Sequence, residues 1–311
     1  RRRPLERSED AGEGSPAAEA ARRFRKRAPG MAGENITELE FLLSYDILKQ
    51  LTSAMERTGC SAADIIEQAL RRFLCTDKQG NAVYLSAPIN ALVEGLYVEN
   101  TTIGEVRQHG DFGLGTFNYL DGEMLLLDGK VYQIRSDGNV YDVGDDERSP
   151  FACVTFFSPD TFDDINGDCG VSDLTTLLDR LIPSRNMLYA IRVDGIFSSV
   201  RCRAASRSEN YMPLVEATRD QSVFDFQDVR GSLAGFYTPA FMASLNAPGF
   251  HLHFLAEDRR HGGHLIDCTL KEARIGIQHV PRLEVGLPVT LDYLTVDLTR
   301  DIGEDLEKAE K

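Results

Sequence analysis

Gly249-Phe250-His251-Leu252-His253-Phe254-Leu255-Ala256 runs into Glu257-Asp258-Arg259-Arg260-His261-Gly262-Gly263, and then into His264-Leu265-Ile266-Asp267-Cys268-Thr269-Leu270. The outer segments are apolar with the alternation of strands, while the middle one is charged and glycine-ended, so the stretch predicts a β-hairpin. Side chains two apart on a strand leave the same face, which puts the imidazoles of His251 and His253 side by side. His264, at the start of the return strand, can face both. Three neutral imidazoles on one point leave a fourth position open, the arrangement of a catalytic rather than a structural zinc site. His261 falls in the turn, and His109 and His279 lie far off in sequence, so none of these three is a first choice of ligand. The spacing H-x-H-x3-E, ending at Glu257, also resembles the first metal motif of cupins, but no later histidine in a glycine- and proline-marked frame completes it.

Outward from the hairpin, short apolar runs recur from about residue 83: 124–127, 131–134, 151–157, 187–193 and 233–237. Asp128-Gly129, Asp137-Gly138, Asp194-Gly195 and Arg230-Gly231 read as the turns between them. Leu174, Leu177, Leu178 and Leu181 fall in helical register over 172–181, and a short helix is expected over 239–245. An α+β body results, dominated by sheet. Residues 1–33 hold hardly any large apolar side chain, so disorder is the expectation there. Residues 34–80 differ. An alternating Ile36–Leu42 precedes a helix capped by Ser44, and Thr58-Gly59 leads to a second helix capped by Ser61. This segment weakly resembles a ribbon-helix-helix module, with Glu38 and Glu40 where base-reading residues would stand. A helical hairpin packing on the body or on a dimer mate is the plainer expectation. The tail over 299–311 has helical propensity with little to bury.

The chain of 311 residues carries a net charge of −15, which disfavours nucleic acid as a partner because phosphate binding needs a basic face. The six cysteines are scattered with no C-x-x-C, and read as free thiols in a reducing, cytoplasmic setting. No apolar run approaches the ~18 residues of a membrane span.

A second dense stretch lies upstream: Thr101-Thr102-Ile103-Gly104-Glu105, His109-Gly110-Asp111-Phe112-Gly113-Leu114-Gly115-Thr116-Phe117-Asn118 and Leu120-Asp121-Gly122-Glu123-Met124. Its glycines are not a dinucleotide fingerprint, since no strand–turn–helix frames them. Further elements follow in order: V-Y-Q-I-R from Val131, P-F-A from Pro150, F-S-S-V-R-C-R from Phe197, Y-x-P-L from Tyr211, G-F-Y-T-P from Gly235 and P-G-F-H-L-H-F-L-A-E-D-R with G-G-H from Pro248. Together these segments closely resemble the acetolactate decarboxylase family from about residue 84 to the C-terminus.

The resemblance implies a zinc enzyme that converts 2-acetolactate to acetoin and carbon dioxide. It implies zinc on His251, His253 and His264, with Glu123, Arg203 and Glu310 as catalytic residues; the Glu310 match requires an ungapped tail. It further implies two α/β domains in the body 81–311: a mixed sheet extended across a homodimer, and a β-barrel-like domain carrying the metal. Zinc on the substrate's ketone and hydroxyl oxygens would stabilise the enediolate left by loss of carbon dioxide. Arg203 offers a fixed planar cation for the carboxylate or that enediolate, and the two glutamates are candidate proton donors. Two other readings are a cupin-like iron or manganese enzyme using His251, His253, Glu257 and His264, and a DNA-binding regulator with a ligand-sensing body.

Overall fold

Two sheets carry the body of the chain. The computed structural model describes residues 45–58, 61–63, 65–66, 81–209 and 211–310. The first sheet has seven strands in the order β12-β1-β6-β2-β3-β4-β5: β1 (Ala82–Leu85), β2 (Phe112–Thr116), β3 (Glu123–Leu127), β4 (Lys130–Ile134), β5 (Val140–Asp142), β6 (Phe151–Thr155) and β12 (Arg282–Val285). It is mixed, since β12 pairs with β1 in parallel and the other pairs are antiparallel. The second sheet has the order β10-β9-β8-β11-β7: β7 (Thr161–Gly170), β8 (Leu188–Ala204), β9 (Ser222–Thr238), β10 (Gly249–Ala256) and β11 (Gly262–Val280). Here β10 also pairs with β11, over 253–255 and 262–264. The helices are α1 (Tyr45–Thr58), α2 (Ile89–Val93), α3 (Ile103–Gln108), α4 (Val171–Leu181), α5 (Leu214–Ala217), α6 (Leu291–Thr295) and α7 (Gly303–Glu310). The fold is α+β, mostly sheet. No described helix is long and apolar enough to cross a membrane.

Local chemistry explains most boundaries. At the β3–β4 hairpin Asp128 and Gly129 have φ of 52° and 76°, the left-handed pair that a tight two-residue turn demands and that Asp-Gly supplies. Thr102 caps α3, its side chain accepting from the Glu105 N–H while the Glu105 carboxylate accepts from the Thr102 N–H, a reciprocal capping box. In α4, Leu174 and Leu178 are buried among Ile191, Phe197 and Phe254 of the second sheet. A second apolar cluster draws on both sheets, with Phe112, Leu114 and Leu125 from the first and Ala190, Phe236 and Leu255 from the second. The two sheets thus share one core, and the functional side chains lie where they meet.

Three expectations need correction. Asp194-Gly195 and Arg230-Gly231 are not turns: both lie inside single long strands and pair with each other, Gly195 opposite Gly231. A Cβ at Gly231 would stand 2.6 Å from the Leu255 carbonyl oxygen. These glycines serve close strand approach rather than chain reversal. The runs expected to end there therefore continue as the 17-residue strands β8 and β9. The helix expected over 239–245 is only a 3-10 turn, Ala240–Met242. The tail, expected to bury little, buries Ile302, Leu306 and Ala309 in the shared core.

The chain divides into two compact units, Arg1–Leu74 and Cys75–Lys311. In the first, α1 matches the helix expected from Ser44, with Leu51 buried and Ile47 exposed. The Ile65 N–H donates to the Ser61 carbonyl, in keeping with a second helix starting there. The expected tail over 1–33, the strand Ile36–Leu42 and most of the second helix lie outside the described residues.

Candidate active site

The hairpin forms as its sequence requires. On β10, Leu252, Phe254 and Ala256 point into the cluster under α4, whereas Leu255 points toward the first sheet. Alternation sends His251 and His253 the same way as Leu255. The glycine pair sets the third histidine. A Cβ on Gly263 would lie 2.6 Å from the Arg203 carbonyl oxygen, and one on Gly262 would overlap the Phe254 carbonyl. Only glycine lets β11 lie this tightly between β10 and β8. His264 thereby falls opposite His253 on one side and Arg203 on the other.

The three imidazoles converge, with one ligand nitrogen from each lying within 4.8 Å of the others. His251 Nε2 is 3.2 Å from His253 Nε2. Around one tetrahedral zinc with Zn–N near 2.05 Å, two nitrogens stand about 3.3 Å apart. His253 Nδ1 donates to the Met124 carbonyl at 2.9 Å, which leaves Nε2 as the lone-pair nitrogen and is the usual orienting bond behind a metal-bound histidine. Burial, followed by the charge of Arg203, pulls the His251 pKa down to about 3. Burial also lowers His253 well below the ordinary range, helped by His251 and Arg203 and opposed by the bond to Met124. Both imidazoles are thus neutral with lone pairs available. Residues, tautomer and spacing all fit a metal ion.

The first sheet supplies the opposing wall. Gly122 has φ 88°, and its carbonyl accepts from Thr116 Oγ1 at 2.7 Å. The following Glu123 enters the site with its side chain 12% exposed. Its Oε1 accepts from the Ala205 N–H at 3.1 Å, and Oε2 lies 3.7 Å from His253 Nε2. Because His253 is neutral, that contact is not an ion pair. From β8, Arg203 Nη2 donates to the Ala309 carbonyl at 2.6 Å and to His264 Nε2 at 3.3 Å. All of these groups line one cavity of about 60 Å³, completed by Ile89, Leu92, Leu120, Phe151, Leu214, Thr218 and Gln221.

Of the sequence-predicted residues, His251, His253, His264, Glu123 and Arg203 come together. Glu310 ends α7, and the bond to its neighbour Ala309 brings that helix end to Arg203; the Glu310 side chain lies outside the described residues. Glu257, the fourth ligand of the cupin-like reading, is exposed and sits 3.9 Å from Arg230. His261 stacks on Phe226, His109 on Tyr84 and His279 on Tyr189. Sequence reasoning gave no role to Thr116, although it stands in the quoted glycine-rich stretch, and missed Thr218, Gln221 and the Ala205 N–H, which stand in no chemically marked pattern.

Residues 83–300 match the family model for alpha-acetolactate decarboxylase. The chain belongs to the alpha-acetolactate decarboxylase family. Its relatives of that name include one from Methanosarcina mazei, 39% identical over 237 residues, covering 76% of this chain and 82% of the relative. Another, from Bacillus licheniformis, is 38% identical and covers 75% and 93%. The crystal structure of alpha-acetolactate decarboxylase from Bacillus subtilis strain 168 superposes with a TM-score of 0.72 at 37% identity, covering 74% of this chain and 99% of that one. The family match spans the three histidines, Glu123 and Arg203, and stops short of α7 and of the first unit.

Proposed function

We propose that this chain decarboxylates 2-acetolactate to acetoin and carbon dioxide with zinc held by His251, His253 and His264. The observation that carries the reading is one small cavity that gathers three converging imidazoles, two of them held neutral by burial, with a guanidinium and a carboxylate, in a chain of the decarboxylase family. Bound zinc supplies Lewis-acid stabilisation of the oxygen charge that builds up as carbon dioxide leaves, worth several kcal/mol.

The protein groups do the rest. The C–C bond to the carboxylate breaks, and its electron pair moves toward the adjacent ketone, giving an enediolate. Arg203 Nη2 gives one hydrogen to the Ala309 carbonyl, and zinc on His264 would release the other from His264 Nε2, so that it and an adjacent guanidinium N–H form one edge to grip the carboxylate. A fork held at one end is pre-organised and loses little entropy on binding. Glu123, pinned by the Ala205 N–H through one oxygen and turned toward His253 through the other, delivers a proton to a single face of the enediolate carbon, which yields acetoin. Glu310 is proposed as a second proton carrier, supported by the docking of α7 through Ala309. The apolar wall of Ile89, Leu92 and Leu214 excludes water that would protonate without face selection.

The body 81–311 carries this chemistry, with β8–β11 as a barrel-like metal-binding domain and residues 34–80 as an accessory hairpin. The working form is a cytoplasmic homodimer, for which β12 and β5 are the edge strands of the first sheet. The test is acetoin and carbon dioxide release from racemic acetolactate, before and after chelation and after zinc is restored. No release by the zinc-loaded protein refutes the reading.

A further inference from the structure

Gln221 stands at the rim of the β8–β9 ladder, one residue before Ser222 pairs with Ala204. That position sets it beside Ala205, the residue whose N–H holds Glu123. Its side chain lines the same cavity as Arg203 and the three histidines. The Gln221 Oε1 atom is buried, yet has no hydrogen-bond partner among the described residues. A buried carbonyl left unpaired costs folding free energy, and such costs persist where a ligand completes the bond.

Counting the cavity's polar groups shows what that ligand must bring. The hydroxyl hydrogen of Thr116 goes to the Gly122 carbonyl and that of Thr218 to the Leu214 carbonyl. Arg203 only donates. The imidazole lone pairs belong to the metal on the reading above. A substrate hydroxyl hydrogen can therefore reach the Glu123 carboxylate, the lone pairs of the two threonine oxygens or Gln221 Oε1, and of these only Gln221 Oε1 is buried with no bond already made among the described residues. Glu123 is needed for proton delivery to carbon, and an uncharged acceptor can hold a hydroxyl without competing for its proton.

We infer that Gln221 is a substrate-binding residue that accepts the hydrogen of the 2-hydroxyl group, and so selects 2-hydroxy acids over their deoxy counterparts. The inference rests on the decarboxylase reading of the same cavity. The Gln221→Met variant keeps side-chain length and removes both amide groups. It raises KM for acetolactate roughly three- to tenfold, the span of one lost neutral hydrogen bond, with kcat less affected. Its Tm holds or rises, because an unpaired buried carbonyl has been removed. A purely structural glutamine would move Tm down.

The deciding measurement is calorimetric binding of two unreactive acids, 2-hydroxy-2-methylbutanoate and 2-methylbutanoate, to the zinc-loaded wild type and variant. Weakening of the hydroxy acid alone supports the inference. Equal weakening of both acids, no change in either, or no binding of the hydroxy acid to wild type overturns it. A folding defect would weaken both acids by the same factor, so the ratio of their dissociation constants reports on the contact even in a poorly folding variant, and Gln221→Leu provides a second measurement of it. Binding is read without turnover, so a wild type that releases no carbon dioxide from acetolactate refutes the proposed function without deciding this inference.

Discussion

Replacing Glu123 by glutamine separates its two jobs. Oε1 accepts from the Ala205 N–H at 3.1 Å, and an amide oxygen can accept the same bond. What weakens is its charge assistance: a bond to a charged group is worth about 1.5–3 kcal/mol against 0.5–1.5 for a neutral one. The structural loss is thus about 1 kcal/mol, a Tm shift of roughly 2–4 °C for a body of this size. The functional loss is larger. Oε2 is the oxygen that approaches His253, and an amide nitrogen there carries neither negative charge nor a transferable proton. Loss of an acid–base group lowers kcat about 10²- to 10⁴-fold, or about 2.7–5.5 kcal/mol of barrier. The two effects differ enough to be told apart by following acetoin formation, Tm and bound zinc on the same preparation. Glu123→Gln should lose most of its kcat, retain zinc, and give acetoin of reduced enantiomeric purity. A kcat within threefold of wild type, together with a Tm drop of several degrees, would show that Glu123 is only a strut under β8.

His251→Ala, His253→Ala and His264→Ala should each lose zinc by elemental analysis and lose activity with it, whereas His261→Ala should lose neither; full zinc occupancy in His264→Ala contradicts the ligand set. Leu306→Ala removes a side chain only 2% exposed and should weaken docking of α7 by about 2–5 kcal/mol, read as faster amide exchange in that helix and a lower kcat. Undiminished kcat after deletion of Glu307 to Lys311 removes the tail from the mechanism. For the chelated protein, the His251 pKa of about 3 lies below the unfolded value near 6.5, so the unfolded chain binds the extra proton first. Stability is present above pH 6.5 and falls by about 1.4 kcal/mol per unit toward pH 3 for that residue alone. Urea midpoints at pH 7, 5.5 and 4.5 should drop in step, and a flat profile would place His251 in solvent.

Much of this site was legible because strands and glycines write a short code. Two histidines at period two, a polar turn and a glycine pair suffice to bring His264 opposite His253, and the structure adds Arg203 as its other neighbour. The same code misleads at Gly195 and Gly231. A glycine that admits a neighbouring backbone looks in sequence like one that turns the chain, and only the pairing tells them apart. The tail was illegible because Ile302, Leu306 and Ala309 are too few to show a periodicity, and their burial depends on a surface built by distant residues. Gln221 was invisible for a different reason. Its significance lies in a bond it fails to make, and a missing partner has no counterpart in sequence.

Strand β11 shifts register against β8 between Leu265 and Asp267, between Thr269 and Leu270, and between Leu270 and Glu272. Each shift resets which face a side chain meets. His264 lies on one side of all three and the nine residues 272–280 on the other. The ladder is therefore jointed, and the catalytic end need not inherit the alignment of the distal one. A slip or a residue inserted beyond Glu272 can be absorbed at a joint before it rotates His264 away from its partners. The joints decouple the alignment of the two halves and not their packing: the distal half stays a central strand between β7 and β8, with Ile275 and Ile277 in the cluster under α4.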